Sequence, residues 1–164
     1  MVEEKKIEET VEETADLKEQ GRKIVRNHML ASMGVGLVPM PIVDLVGITG
    51  VQINMVRKLS KIYGVPFSEH KLKNILSSLI GGSVSVPIAG AVFSLVKFIP
   101  VVGSTFGALS MSVSAGSTTY AVGKVFHQHF ASGGTFLTFN PDKVREYYNE
   151  MLKKGRAKAT EAKA

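Results

Sequence analysis

The 164 residues amount to one domain, and their net charge of +6 hides an acidic arm on a basic body. Residues 1–20 carry eight acids and three bases, and the remainder six acids and seventeen bases. The absence of cysteine excludes disulfides, thiol catalysis and cysteine-based metal sites. The bases flank apolar segments rather than aromatic platforms, a placement that disfavours nucleic acid and suits anionic lipid.

The start, MVEEKKIEET, is acidic and has no apolar core, so a cleavable signal peptide is not expected. The expected compartment is cytoplasmic, or the membrane face turned towards it. Ile7, Val11, Leu17, Ile24, Val25 and Met29 recur at helical spacing and predict a helix over 3–30. Its first part, 1–21, reads as a charged arm: a solvated helix, a short coiled coil or a partly disordered segment. Gly21 weakens the middle, and a single helical domain is expected over 22–155.

The stretch VPMPIVDLVGITGVQINMVRKLSKIY, residues 38–63, organises the rest of the chain. Pro39 and Pro41 are excluded from a helix interior, and Pro41 suits a first helical position. Asp44 then falls in the opening turn, at the positive end of the dipole. Leu45, Ile48, Met55, Val56, Leu59 and Ile62 form one apolar face. Gly64 and Pro66 stop the helix after Tyr63. Gln52 interrupts the apolar stripe. A buried amide left alone costs about 1–3 kcal/mol, so Gln52 either joins two helices inside the core or makes a polar contact at an interface.

Another helix is expected from Ser68. From Asn74 to Gly123, fifty residues carry one charge, Lys97. That charge splits an apolar hairpin over 74–123 into uncharged segments 74–96 and 98–123, each longer than the ~18 residues that indicate a membrane span. Composition argues less firmly. Large apolar residues favour insertion by roughly 3–7 kcal/mol in the first segment and about 2–5 in the second, against many Ser, Thr, Gly and Pro. If the hairpin spans, the excess of basic residues at its outer ends keeps both termini cytoplasmic. In the second segment Ser104, Ala108, Ser112 and Gly116 repeat every four residues, with Gly103 and Gly107 beside them. Such a strip lets two helix backbones approach closely, in lipid or in a protein core.

Gly133-Gly134 predicts a turn and Thr135–Phe139 a short extended piece. Asn140-Pro141-Asp142 is a helix start combining a cap, a fixed φ and a favourably placed acid. Val144, Tyr147, Tyr148, Met151 and Leu152 give that helix its apolar face. Gly155 is expected to end it, leaving a basic disordered tail at 156–164. The fold class is therefore all-α, a helical bundle around an apolar hairpin.

Chemistry is scarce. No phosphate loop of the G-x-x-x-x-G-K-[ST] kind occurs. His127 and His129 point about 200° apart on a helix and do not share a metal. No catalytic residues, cofactor, metal site or small-molecule substrate is expected.

The segment VPMPIVDLVGITGVQINMVRKLSKIYGV resembles the signature of the bacterial domain-of-unknown-function family 697, which includes YcjF-like membrane proteins. Pro39, Pro41, Asp44, Gln52, Met55, Tyr63 and Gly64 match its pattern one by one. Pro100 with Gly103, then Thr119 to Gly123, and the ending HFASGGTFLTFNPDKVREYYNEMLKKG fit as well, covering roughly 22–155. The resemblance implies a helical, membrane-associated domain of a kind that often follows a GTPase domain. The acidic arm stands where that GTPase would be, so GTPase activity is not inherited, and partnership with a separate GTPase stays open. Three functions are then open: a non-enzymatic membrane-associated anchor or scaffold at the cytoplasmic face, a soluble homo-oligomeric subunit whose apolar hairpin is buried between copies, or a channel or carrier with the Ser and Thr of 104–119 lining a polar path. A protein partner or a second copy is expected in either of the first two cases, with membrane lipid in the first.

Overall fold

A computed structural model describes residues 1–38, 41–82 and 104–164, with side chains from 46 and from 109 onward in the second and third stretches. Five helices lie in these residues: α1 (Val2–Val35), α2 (Pro41–Ile62), α3 (Glu69–Gly81), α4 (Ser104–Ala131) and α5 (Pro141–Lys163). No strand occurs among the described residues.

The ends follow local chemistry. Pro41 opens α2, where its missing N–H is no loss. Gly64 adopts φ +65°, and the Val65 N–H returns to the Ser60 carbonyl at 2.8 Å, closing the helix. Asn140 caps α5, its Oδ1 accepting from the N–H groups of Asp142 at 3.0 Å and Lys143 at 3.3 Å.

Helices α1 and α2 run antiparallel, as do α1 and α4, and α4 and α5. Glycines mark the α1–α4 crossing at both ends. A Cβ on Gly36 would lie 3.0 Å from the Ser112 backbone, and one on Gly21 would collide with the His127 ring. Between them Gly123 receives Val25, and Gly116 receives Met33. The core joins Met55, Val56 and Leu59 of α2 to Leu72 and Leu79 of α3, to Val122, Val125 and Phe126 of α4 and to Tyr148 of α5. Beyond this body the first half of α1 projects: residues 2–16 are exposed, Ile7 and Val11 included.

Three expectations need correcting. The tail at 156–164 is helical to Lys163 rather than disordered. Gly155 does not end the helix, because its bare backbone lets α5 approach the Ser117 carbonyl, which a Cβ would meet at 2.9 Å. That approach buries Ala159 completely beside Met29 and Met33. The piece at 135–139 is a turn, the Thr138 N–H meeting the Thr135 carbonyl at 3.2 Å, which drops Phe136 among Phe67, Phe126 and Phe130.

Finally, no helix among the described residues is long and apolar enough to cross a membrane. The part of the second uncharged segment that falls in α4 is packed by α1, α2 and α5 of the same chain. Most of the first segment and the hairpin tip, 83–103, lie outside the described residues.

Candidate functional site

One residue of the sequence motif around α2, Gln52, lies in a buried polar junction of three helices. Gln52, 3% exposed, donates from Nε2 to Thr119 Oγ1 at 3.3 Å. Thr119 Oγ1 also lies 2.7 Å from Ser32 Oγ of α1. Ser112 Oγ donates to the Met33 carbonyl at 2.9 Å. These groups satisfy one another, as buried polar atoms must. Of the two readings of Gln52, the geometry is the internal one, a core amide tying α2 to α4.

The other motif residues are distributed along α2 and its ends. Met55 is fully buried and abuts Gly123. Tyr63 is half-buried; its hydroxyl donates to the Leu17 carbonyl at 3.4 Å and its ring lies 5.8 Å from that of His127. Pro41 and Asp44 occupy the first turn of α2, and Ser104, Gly107 and Ala108 the start of α4, with their side chains outside the described residues. Pro39 and Gly103 lie outside altogether. Ser112 and Gly116 of the small-residue strip face α1 of the same chain. The sequence pattern did not mark Gly21, Gly123 and Gly155 as packing sites. Their signal is spacing: Gly116 and Gly123 stand seven apart, two turns on one face.

Two buried histidines lie elsewhere between the helices, His28 beside Asn54 and His127 beside Gly21 and Tyr63. His28 donates from Nδ1 to the Ile24 carbonyl at 2.7 Å and accepts at Nε2 from Asn54 at 3.4 Å, which fits the neutral ring. Burial holds its pKa below the usual value. His127 is more perturbed, its pKa lowered to about 4 by burial first and then by the charges of Lys124, Arg22 and Lys18. Its Nε2 has no hydrogen-bond partner. Among the described residues no group of three His, Cys, Asp or Glu could hold a metal.

A second feature is electrostatic. Where α1, α4 and α5 meet, a cavity of about 200 Å³ has Val25 and Met29 as its floor and Arg22, Arg26 and Lys124 around it.

Fold and junction together define a class: an all-helical bundle with a buried hydrogen-bonded tie between its helices. The chain belongs to the family described as Domain of unknown function (DUF697), whose pattern matches residues 3–157. It is 39% identical over 142 residues to magnetosome membrane protein 22 of Magnetospirillum gryphiswaldense, covering 86% of this chain and 73% of that protein. No solved structure matches the chain.

Proposed function

We propose that the chain is a non-enzymatic, membrane-associated helical protein that anchors or scaffolds a protein partner at the cytoplasmic face. The observation that carries this reading is an apolar pole. The C-terminal end of α1, the start of α2 and the early turns of α4 lie together, and they expose Leu37 (49%), Val38, Val46 (69%), Leu109 and Met111. Exposed apolar side chains at one end of a bundle suit a membrane or protein contact. The sequence 83–103, whose one charge is Lys97, leads into Ser104 at the start of α4. The name of the Magnetospirillum relative, a magnetosome membrane protein, supports the same reading.

The exposed acidic arm offers a separate surface for the partner. A GTPase is the candidate suggested by the company such domains keep, and charge selects one with a basic face.

The test is flotation of the purified chain with lipid vesicles, alongside the Leu37→Glu/Val46→Glu variant. Co-flotation that the variant loses supports the reading. A chain that stays behind as a discrete large oligomer supports the soluble homo-oligomer instead, and a lone monomer in plain buffer removes both.

A further inference from the structure

We propose that the crease between α1, α4 and α5 is a binding site for a phosphate-bearing anion, held by Arg26, Lys124 and Lys158 with Arg22 at its rim. Arg22 and Arg26 stand four apart on α1, and Tyr120 and Lys124 four apart on α4, so each pair shares a helix face. Lys158 enters from α5. Close packing forces these bases together: Val25 seats on Gly123, and a Cβ on Gly155 would lie 3.0 Å from the Tyr120 ring.

The result is a concentration of cations with fewer acids than bases around it. Arg22 pairs with Glu19 at 2.9 Å, and the neighbouring Lys154 with Glu150 at 2.7 Å. Arg26, Lys124 and Lys158 form no ion pair among the described residues. Lys124 feels the conflict directly, its pKa lowered by burial and then by Arg22, Lys154 and Lys158. His127, one turn away, records the same positive field from Lys124 and Arg22. Like charges held this close are unfavourable until an anion joins them, and arginine with lysine around a small cavity is the donor set that phosphate takes. At about 200 Å³ the space is smaller than the ~300–1,000 Å³ of ordinary ligand pockets, which suits a single headgroup rather than a nucleotide.

A lipid headgroup and a soluble phosphate present the same chemistry. The site itself does not depend on the proposed membrane role; only the lipid source does. The experiment titrates the full chain with inorganic phosphate and glycerol phosphate, following amide shifts of Tyr120 and Lys124. In parallel, phosphatidylcholine vesicles with and without phosphatidic acid are floated. Arg26→Gln/Lys124→Gln is expected to weaken binding about tenfold or more. Lys61→Gln/Lys71→Gln, with equal charge loss on α2 and α3, is expected to change it less than about twofold. Lys158→Gln, a change at an exposed position, guards against loss by misfolding and should weaken binding in the same direction.

Binding of soluble phosphate without flotation assigns a soluble ligand and leaves the site standing while the membrane reading falls. Selective loss of phosphatidic acid binding in the crease variants assigns a headgroup. Equal weakening by the crease and remote variants, or no phosphate-induced shift with flotation untouched by the crease variants, overturns the proposal.

Discussion

Thr119→Val isolates the junction, because valine keeps the shape of threonine and removes the one oxygen shared by α1, α2 and α4. In the folded chain that oxygen meets Ser32 Oγ at 2.7 Å and Gln52 Nε2 at 3.3 Å, with Thr119 and Ser32 wholly buried and Gln52 nearly so. Each buried group left unpaired costs about 1–3 kcal/mol. Ser32 has an escape, since a helical serine hydroxyl can turn to a carbonyl of the preceding turn. The Gln52 amide has no such local alternative. The expected loss is therefore about 2–4 kcal/mol, below the roughly 2–6 of two unrelieved groups. Urea unfolding followed by far-ultraviolet circular dichroism measures it, with an unchanged slope showing that the folded state is the same. A cycle with Gln52→Leu supplies the sharper test. Removing both partners leaves little unpaired, so the double variant should be more stable than the sum of single losses by about 1–2 kcal/mol. Strict additivity, or a Thr119→Val loss under about 0.5 kcal/mol, refutes the tie between α2 and α4.

Three further outcomes rest on the packing and the field. His127 binds its proton less readily folded than unfolded, so the unfolded chain holds more protons between pH 6.5 and about 4. Stability should accordingly fall by about 1–3 kcal/mol as pH drops through that window, moderated by solvent screening of the nearby lysines and arginine. His127→Phe should flatten the slope to the part left by His28, and a His127 ring signal that titrates near pH 6.5 removes the argument. A Cβ on Gly123 would lie 2.8 Å from both methyls of Val25, so Gly123→Ala should cost about 1–3 kcal/mol despite its better helix propensity. Val25→Ala should relieve much of that, whereas Gly50→Ala, which meets no atom within 4 Å, should stabilise by roughly 0.5–1 kcal/mol, all by denaturant midpoint. Ala159→Glu should destabilise by about 2–4 kcal/mol through a buried, unpaired charge, while exposed Ala157→Glu stays within about 0.5; equal effects would mean that the end of α5 does not dock.

The helix limits were legible where one residue carries its own backbone rule. Pro41, Gly64 and Asn140-Pro141-Asp142 each act within a turn of chain, so their effect needs no knowledge of the fold. Gln52 was legible as an exception, because polarity inside an apolar stripe shows in sequence. Its partner was not: Thr119 lies 67 residues on, and only the crossing of α2 and α4 selects it from eight Ser and Thr in that segment. Gly155 misled for a related reason. Glycine ends helices and also lets them touch, and the two uses look alike until the neighbouring backbone is in place.

The uncharged run from 74 to 123 has two different parts. Within α4 the absence of charge is explained by protein: Ser112, Ser117 and Thr119 are buried, and Gly116 and Gly123 receive side chains from α1. A charge at any of those positions would be desolvated whether or not a membrane were near. Composition there therefore carries no information about lipid. The case for a membrane contact narrows to the exposed pole and to the uncharged sequence around Lys97 in 83–103. Basic groups gather instead in the crease at Arg26, Lys124 and Lys158, away from the apolar tips of α1 and α4. An amphipathic division of this kind fits a protein that meets a bilayer end-on: its pole supplies apolar area, and any attraction to anionic headgroups comes from cations set back along the helices. The two contributions respond to different perturbations, since salt weakens the second and leaves the first. Vesicle binding that survives high salt but not Leu37→Glu/Val46→Glu would place the main energy at the pole.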